Sequence, residues 1–241
     1  MVVKLFFRSI FFIFLIGFNF IDAQLVGSNM QMWEKAPASY VNDSTKCRNN
    51  KLLNFNCAIK DKMPVTIIKY YKTKPYSLVA VHTSGDDEWI WKNQENKVNL
   101  ANNKYQKVKI NQSVGINKRP SLYSYVSPPI PNDSLTVDSI KIKFEDKNLY
   151  EIIFTPKKIR PSELRKIQSY LSIKFGISLE EGKYYNSSND IIWDPGKHKN
   201  FKYRPTGIGR DDGSELYQKQ SSNQQDKFLT IGKNQIKRTN F

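Results

Sequence analysis

The sequence predicts an all-β protein, a sandwich of two sheets with a single helix, preceded by an export signal. Three observations lead to this prediction: short apolar runs broken by turn-forming residues, one segment with helical periodicity, and an apolar segment at the start of the chain. The 241 residues include 38 Lys and Arg against 22 Asp and Glu, for a net charge of +16. After the first segment, no apolar run approaches the roughly eighteen residues of a membrane-spanning helix.

The first residues have the three-part plan of a secretory signal peptide. Lys4 and Arg8 provide the positive charge, residues 10–16 form an unbroken apolar core, and Ala23 is the small residue before Gln24. We therefore expect cleavage between Ala23 and Gln24, a secreted or cell-surface protein, and no membrane span after cleavage. The alternative is an uncleaved membrane anchor.

Five short runs have the composition of β-strands. The run 139–144 alternates apolar residues with Lys, which predicts one face on a core and one in water, whereas 149–154 is more continuously apolar, as expected of an inner strand covered on both sides. Turn-forming residues separate these runs, so the region favours an all-β sandwich. The five predicted strands are 65–68, 77–81, 107–110, 139–144 and 149–154.

One helix is predicted to begin near Pro161 and to end at Gly176. Proline is favourable in a first helical turn, and Glu163 lies near the positive end of the helix dipole. Gly176 can adopt the left-handed conformation that ends many helices. Apolar residues follow at spacings of three and four and mark one face: Leu164, Ile167, Leu171 and Phe175.

The chain is divided by these predictions into a signal peptide (1–23), a β-sandwich with its helix (24–179) and a carboxy-terminal β region (180–241). Residues 180–189 are polar, and 191–193 and 228–231 are predicted strands. Few residues follow to pair with them, so we expect an incomplete, truncated β unit that leans on the sandwich and is less ordered than residues 60–178.

Cys47 and Cys57 lie in the part of the chain expected outside the cell, where disulfides form. A bridge between them would close a loop of about ten residues and contribute about 2–3 kcal/mol on the chain-entropy model. The alternative is two unpaired thiols. His82 and His198 are the only histidines and are far apart in sequence, so the cysteines do not indicate a metal site.

Residues 149–179 resemble the end of a concanavalin-A-like (laminin-G-like) sandwich in large secreted surface proteins of Bacteroidetes. The matching phrases are EIIF at 151–154 and SYLSIKFGI at 169–177, followed by IWD at 192–194, GIGRDD at 207–212, LYQKQS at 216–221 and FLTIG at 228–232. MWEKA at 32–36 and LNFN at 53–56 are similar to the early strands of that family.

This resemblance implies a concanavalin-A-like jelly-roll sandwich and an extracellular role, without catalytic residues. The chain stops nine residues after Gly232, whereas members of the family continue, and it lacks their carboxy-terminal sorting domain. Two explanations of these differences are a truncated reading frame and a diverged, short member of the family.

Candidate sites are few, and each has a structural alternative. Trp89 and Trp91 flank Ile90 in a predicted strand, so both would point to one face, either to stack on a sugar ring or to fill the core. Asp211 and Asp212 offer oxygen ligands for Ca²⁺, or they cap a turn in which Gly213 supplies a positive φ and Arg210 pairs with a carboxylate.

The predicted function is a non-catalytic surface or adhesion module that binds extracellular polysaccharide or a cell surface. The alternative, a glycoside hydrolase on the same fold, needs two carboxylates that face one cleft. Glu151 is the only acidic residue in its strand. The acidic residues 86–88 are consecutive, so neighbours among them would point to opposite faces of a strand. No nucleic-acid partner is expected, because Lys is spread evenly along the chain. A non-functional fragment of a larger surface protein is a further alternative; ligand and oligomeric state are left open.

Overall fold

The protein is described from a computed structural model. It describes residues 32–36, 47, 52–59, 65–69, 76–82, 89–93, 98–101, 104–107, 120–126, 139–143, 149–179, 182–224, 229–237 and 239–240. The predicted signal peptide, its cleavage site between Ala23 and Gln24, and residues 86–88 lie outside these ranges.

The first part of the chain forms two antiparallel sheets. Four strands pair in the order β1-β9-β3-β7, and five pair in the order β2-β8-β4-β5-β6. The all-β class with a single helix among the described residues is therefore confirmed. The strands are β1 (Met32–Lys35), β2 (Val65–Lys69), β3 (Ser77–His82), β4 (Trp89–Asn93), β5 (Val98–Ala101), β6 (Lys104–Lys107), β7 (Ser121–Val126), β8 (Ser139–Lys143) and β9 (Leu149–Thr155).

Strand β9 is buried along its whole length, as predicted for an inner strand. It pairs with β1 on one side and β3 on the other, and the register aligns Trp33, Ile153 and Val79 across the sheet. β3 is also buried at every residue. Of the predicted strand 107–110, only Lys107 lies in a described strand, the end of β6.

Helix α1 (Pro161–Phe175) begins and ends where the sequence predicts. The Glu163 carboxylate accepts hydrogen bonds from the backbone N–H of Arg160 at 3.2 Å and from its guanidinium at 2.7 Å. Gly176 is left-handed, with φ 64°. The helix covers one face of the four-stranded sheet, and the shared core is Leu53, Val79, Val81, Tyr150, Ile153, Ile159, Ile167, Tyr170, Leu171, Phe175 and Leu216.

A short turn, Leu53–Asn56, ties the helix to distant parts of the chain. The buried Asn54 amide donates to the carbonyls of Ile173 and Lys174 at 3.1 and 3.0 Å, and its Oδ1 accepts from the N–H of Ser222 at 2.7 Å. Asn240 Nδ2 donates to the Asn54 carbonyl at 3.1 Å. The carbonyls left open at the end of a helix are thus satisfied by a side chain about 120 residues away.

In the described part of the region after α1, the chain forms three two-stranded ribbons and two short 3-10 helices, Lys199–Phe201 and Asp212–Ser214. The predicted strand 191–193 is present as Ile191–Trp193, whereas of the predicted strand 228–231 only residues 230 and 231 lie in a described strand, Thr230–Gly232; each strand has one partner. Tyr184–Tyr185, placed by sequence in a polar connection, is a strand whose Tyr185 N–H donates to Ser169 Oγ of α1 at 2.9 Å. The ribbons pair β10 (Tyr184–Tyr185) with β11 (Ile191–Trp193), β12 (Gly209–Asp211) with β13 (Leu216–Gln218), and β14 (Gln220–Ser222) with β15 (Thr230–Gly232).

Candidate functional site

Two clusters of charged and aromatic side chains stand out, one inside the fold and one on its surface. The first, here called the buried charge cluster, joins Trp33, Glu151, Tyr170 and Lys174 between β1, β9 and α1. The second, here called the cationic groove, lies on the last two ribbons.

Glu151 is the centre of the buried charge cluster, and its side chain has no exposed surface. One carboxylate oxygen accepts from Trp33 Nε1 at 2.5 Å and from the Tyr170 hydroxyl at 2.8 Å. The other accepts from Lys174 Nζ at 2.6 Å, and Lys174 also donates to the Tyr170 hydroxyl at 2.8 Å. Every donor in the cluster is directed at this single carboxylate.

Burial shifts the pKa of the two titratable partners of Glu151, Lys174 and Tyr170. It lowers the pKa of Lys174, an effect that the nearby Glu151 charge opposes. It raises the pKa of Tyr170 well above its ordinary value, and here the Glu151 charge acts in the same direction. Because the donors and the carboxylate satisfy one another, we interpret this cluster as a structural link between helix and sheet.

The cationic groove has a volume of about 620 Å³ and is lined by β12, β13, β14 and the segment after β15. In the register of β12 and β13, Arg210 lies directly opposite Tyr217. The Arg210 guanidinium lies 5.0 Å from the centre of the Tyr217 ring, and Lys219 Nζ lies 5.7 Å from it. Such distances suit cation–π contacts.

Among the residues that the structure describes, the lining carries four cations, Arg210, Lys219, Lys233 and Lys237, and no carboxylate. Asp212 is adjacent, and its carboxylate accepts from Arg210 Nε at 2.6 Å. Both side chains of this pair are more than half exposed, at 62% and 56%, so water screens the attraction. The groove therefore keeps an excess of positive charge.

Two glutamines shape the floor and wall of the groove. Gln220 holds the final segment in place: its Nε2 donates to the carbonyl of Lys237 at 2.6 Å, and its Oε1 accepts from the Lys237 N–H at 2.6 Å. Gln218 is buried, its Nε2 donates to the Gln220 carbonyl at 2.9 Å, and its Oε1 accepts no hydrogen bond from the described residues. Gln218 Oε1 is itself buried, so this amide supports the wall of the groove and is not offered to a ligand.

The two aspartates proposed as calcium ligands face different partners. Asp211 accepts from the N–H and hydroxyl of Ser187 at 2.8 and 2.5 Å, while Asp212 pairs with Arg210 as the sequence indicated. Among the residues that the structure describes, no group of three His, Cys, Asp or Glu side chains could hold a metal ion. The Ca²⁺ site stays a prediction.

Gly213 does not supply the positive φ expected of this turn. The left-handed residue is Glu215, with φ 52°. A Cβ at position 213 would lie 2.4 Å from Ser187 Oγ, so glycine is needed there for close approach of the neighbouring turn.

The other sequence candidates lie apart from the groove. Trp89 and Trp91 are in β4, whose register with β5 shifts between these two residues, and their role as a sugar site stays a prediction. His82 is buried in β3, whereas His198 is exposed and stacks on Trp193. Cys47 and Cys57 form a disulfide with a Cα–Cα distance of 5.4 Å.

Sequence reasoning missed the groove because its cations are spread over residues 210–237. A local signal was present in the alternation of β13, where Leu216 and Gln218 are buried and Tyr217 between them is exposed. An outward tyrosine flanked by Arg210 across the ribbon and Lys219 along it could have indicated a binding surface.

Comparison with known proteins gives one similarity. Residues 163–241 match the family model of a domain of unknown function (DUF8202). No curated protein and no solved structure matches the chain. The matched segment starts within α1 and contains the whole cationic groove, so the groove lies in the part of the chain that is similar to this domain family.

Proposed function

We propose that this protein is an exported, non-catalytic binding module that holds an anionic polysaccharide in the cationic groove. The observation that carries the proposal is the composition of the groove, whose described lining residues include four cations and no carboxylate. Carboxylate or sulfate groups on a glycan would form charge-assisted hydrogen bonds with these side chains.

One further feature of the groove suits a carbohydrate. Tyr217, with 46% of its surface exposed, offers a ring face on which a sugar can pack. The cations therefore select anionic ligands, while the tyrosine favours a ligand that contains a sugar ring.

The fold and location expected from sequence complete the proposal. The two antiparallel sheets are proposed to form a concanavalin-A-like jelly-roll sandwich, and the signal peptide to be cleaved after Ala23. The Cys47–Cys57 disulfide supports function in an oxidising compartment. Mass spectrometry of the purified protein should find Gln24 at the amino terminus; an intact Met1 would contradict the predicted cleavage.

The proposed function is tested by titrating the purified protein with an oligouronate, a sulfated oligosaccharide and a neutral glucan of matched length. The anionic ligands should bind at least about tenfold more tightly than the neutral one, a difference of ~1.4 kcal/mol. The double variant Lys219→Gln/Lys233→Gln should lose about tenfold in affinity for the anionic ligands.

A matched control removes the same charge elsewhere. Lys157 and Lys158 are exposed and lie outside the groove lining, so Lys157→Gln/Lys158→Gln should retain binding. Equal losses of affinity in the two double variants would show that net charge alone attracts the ligand, and would overturn the proposed binding site. Hydrolysis of any of these glycans, lost on substitution of an Asp or Glu, would instead favour the glycoside hydrolase.

A further inference from the structure

A second surface feature lies between β11 and β12. Residues 197–204, here called the basic–aromatic loop, read Lys-His-Lys-Asn-Phe-Lys-Tyr-Arg and contain no acidic residue. Phe201 and Tyr203 are 73% and 76% exposed, the highest values among the exposed large apolar side chains of the described residues. Exposing two aromatic side chains so fully in water is unfavourable, which suggests a surface that covers them.

The loop is held at both ends. His198 stacks on Trp193 with ring centres 4.4 Å apart, and its N–H donates to the Asp194 carbonyl at 3.1 Å. The Phe201 N–H closes a turn on the His198 carbonyl at 2.9 Å. At the far end, Asn223 Nδ2 donates to the Pro205 carbonyl at 3.2 Å. The aromatic side chains are therefore presented by a loop with fixed ends.

The lysines of the loop are left available to a partner. Lys197, Lys199 and Lys202 are exposed, and within the described part of the chain none of them forms an ion pair. Lys202 Nζ lies 5.0 Å from the centre of the Tyr203 ring, so a cation accompanies an outward aromatic side chain. The partner of this surface should be both anionic and able to bury apolar side chains.

We propose that the basic–aromatic loop docks on an anionic lipid surface. Phe201 and Tyr203 enter the interface between headgroups and acyl chains, and the three lysines contact the anionic headgroups. A glycan fits less well, because sugars bind in concave sites and these two side chains project into solvent. A bilayer interface, in contrast, can surround a projecting side chain. This inference goes beyond the glycan site, since it concerns different residues and a different ligand.

The test measures binding to vesicles of neutral phosphatidylcholine, with and without about 30 mol % phosphatidylglycerol. The purified protein should bind the anionic vesicles and not the neutral ones. Phe201→Ser/Tyr203→Ser keeps all the charges and should weaken binding at least about tenfold. Lys197→Gln/Lys199→Gln/Lys202→Gln should weaken it about a hundredfold, at roughly fivefold per lysine.

Two controls make the result specific. Leu229→Ser removes another exposed apolar side chain, 59% exposed and outside the loop, and should leave binding unchanged. Because residues 1–23 are themselves apolar, all variants carry the same verified amino terminus, and the difference between variants is the readout.

The proposal is overturned if Phe201→Ser/Tyr203→Ser binds anionic vesicles as tightly as the wild type does. It is also overturned if the wild type binds neutral and anionic vesicles equally, or if Leu229→Ser loses binding to anionic vesicles. Binding of the loop to a sulfated polysaccharide without binding to anionic vesicles would also overturn it. Loss of glycan binding in the groove variants would leave this result untouched, so the two proposals fail separately.

Discussion

Two regions of this protein place a tyrosine beside cationic side chains, one inside the fold and one on its surface. In the buried charge cluster, Lys174 Nζ lies 5.1 Å from the Tyr170 ring centre, and in the cationic groove Lys219 Nζ lies 5.7 Å from that of Tyr217. The interior tyrosine and lysine share a carboxylate, that of Glu151, whereas none of the described residues that line the groove carries one. Similar residues therefore link helix and sheet where their charge is matched, and keep an excess of positive charge at the surface where it is not.

The largest expected effect comes from unbalancing the interior. Glu151→Gln leaves Lys174 buried without its hydrogen-bonded carboxylate, and we expect a loss of about 3–5 kcal/mol in the free energy of unfolding. Urea denaturation measures it. The control is Asp212→Asn, which breaks the exposed Arg210–Asp212 pair, away from this cluster, and should cost less than about 0.5 kcal/mol. Equal losses in the two variants would contradict the distinction between interior and surface.

His82 sharpens the comparison because it is a buried titratable group whose two ring nitrogens have no hydrogen-bond partner in the described structure. Burial lowers its pKa from 6.5 to about 4. Between these pH values the unfolded chain binds more protons than the folded one, so stability is full above pH 6.5 and decreases as pH falls to 4. The loss should be about 3 kcal/mol.

The measurement is urea denaturation at pH 7, 6, 5 and 4 for the wild type and for His82→Leu, which cannot titrate at this position. The variant should lack this part of the pH dependence. Identical pH profiles for the two proteins would show that another group is responsible.

A smaller loss is expected at Asn54, where charge plays no part. Asn54→Ala removes the donors to the Ile173 and Lys174 carbonyls and the acceptor for Ser222, and should cost about 2–3 kcal/mol. Asn200→Ala, at an exposed asparagine, is the control and should change stability by less than about 0.5 kcal/mol. Hydrogen exchange should also accelerate at the carboxyl end of α1; unchanged exchange there would argue against the cap.

The smallest effect on stability is expected at the groove. Asp212→Asn removes the screened partner of Arg210 and should change the free energy of unfolding by less than about 0.5 kcal/mol. It should tighten binding of an anionic oligosaccharide by about two- to fivefold, because Arg210 becomes free to pair with the ligand. Weaker binding in this variant would indicate that Asp212 itself contacts the ligand.

Local signals predicted the elements better than the site. Pro161, Glu163 and Gly176 mark the ends of α1 because capping depends on residues within one turn, and the continuous apolar run of β9 indicated its burial. The groove could not be predicted because it needs β12, β13, β14 and the segment after β15 to converge. Glu151 was noted as an isolated acid, but its partners lie more than 18 residues away, the nearest at a separation of 19.

The contacts of Asn54 also impose an order on assembly. Its partners include Ser222 and Asn240, which are 168 and 186 residues further along the chain. The ribosome therefore synthesises the turn long before it synthesises these two partners. The turn can therefore complete its contacts only after residues 222 and 240 have been made. Pairings of such long sequence separation are expected to slow folding.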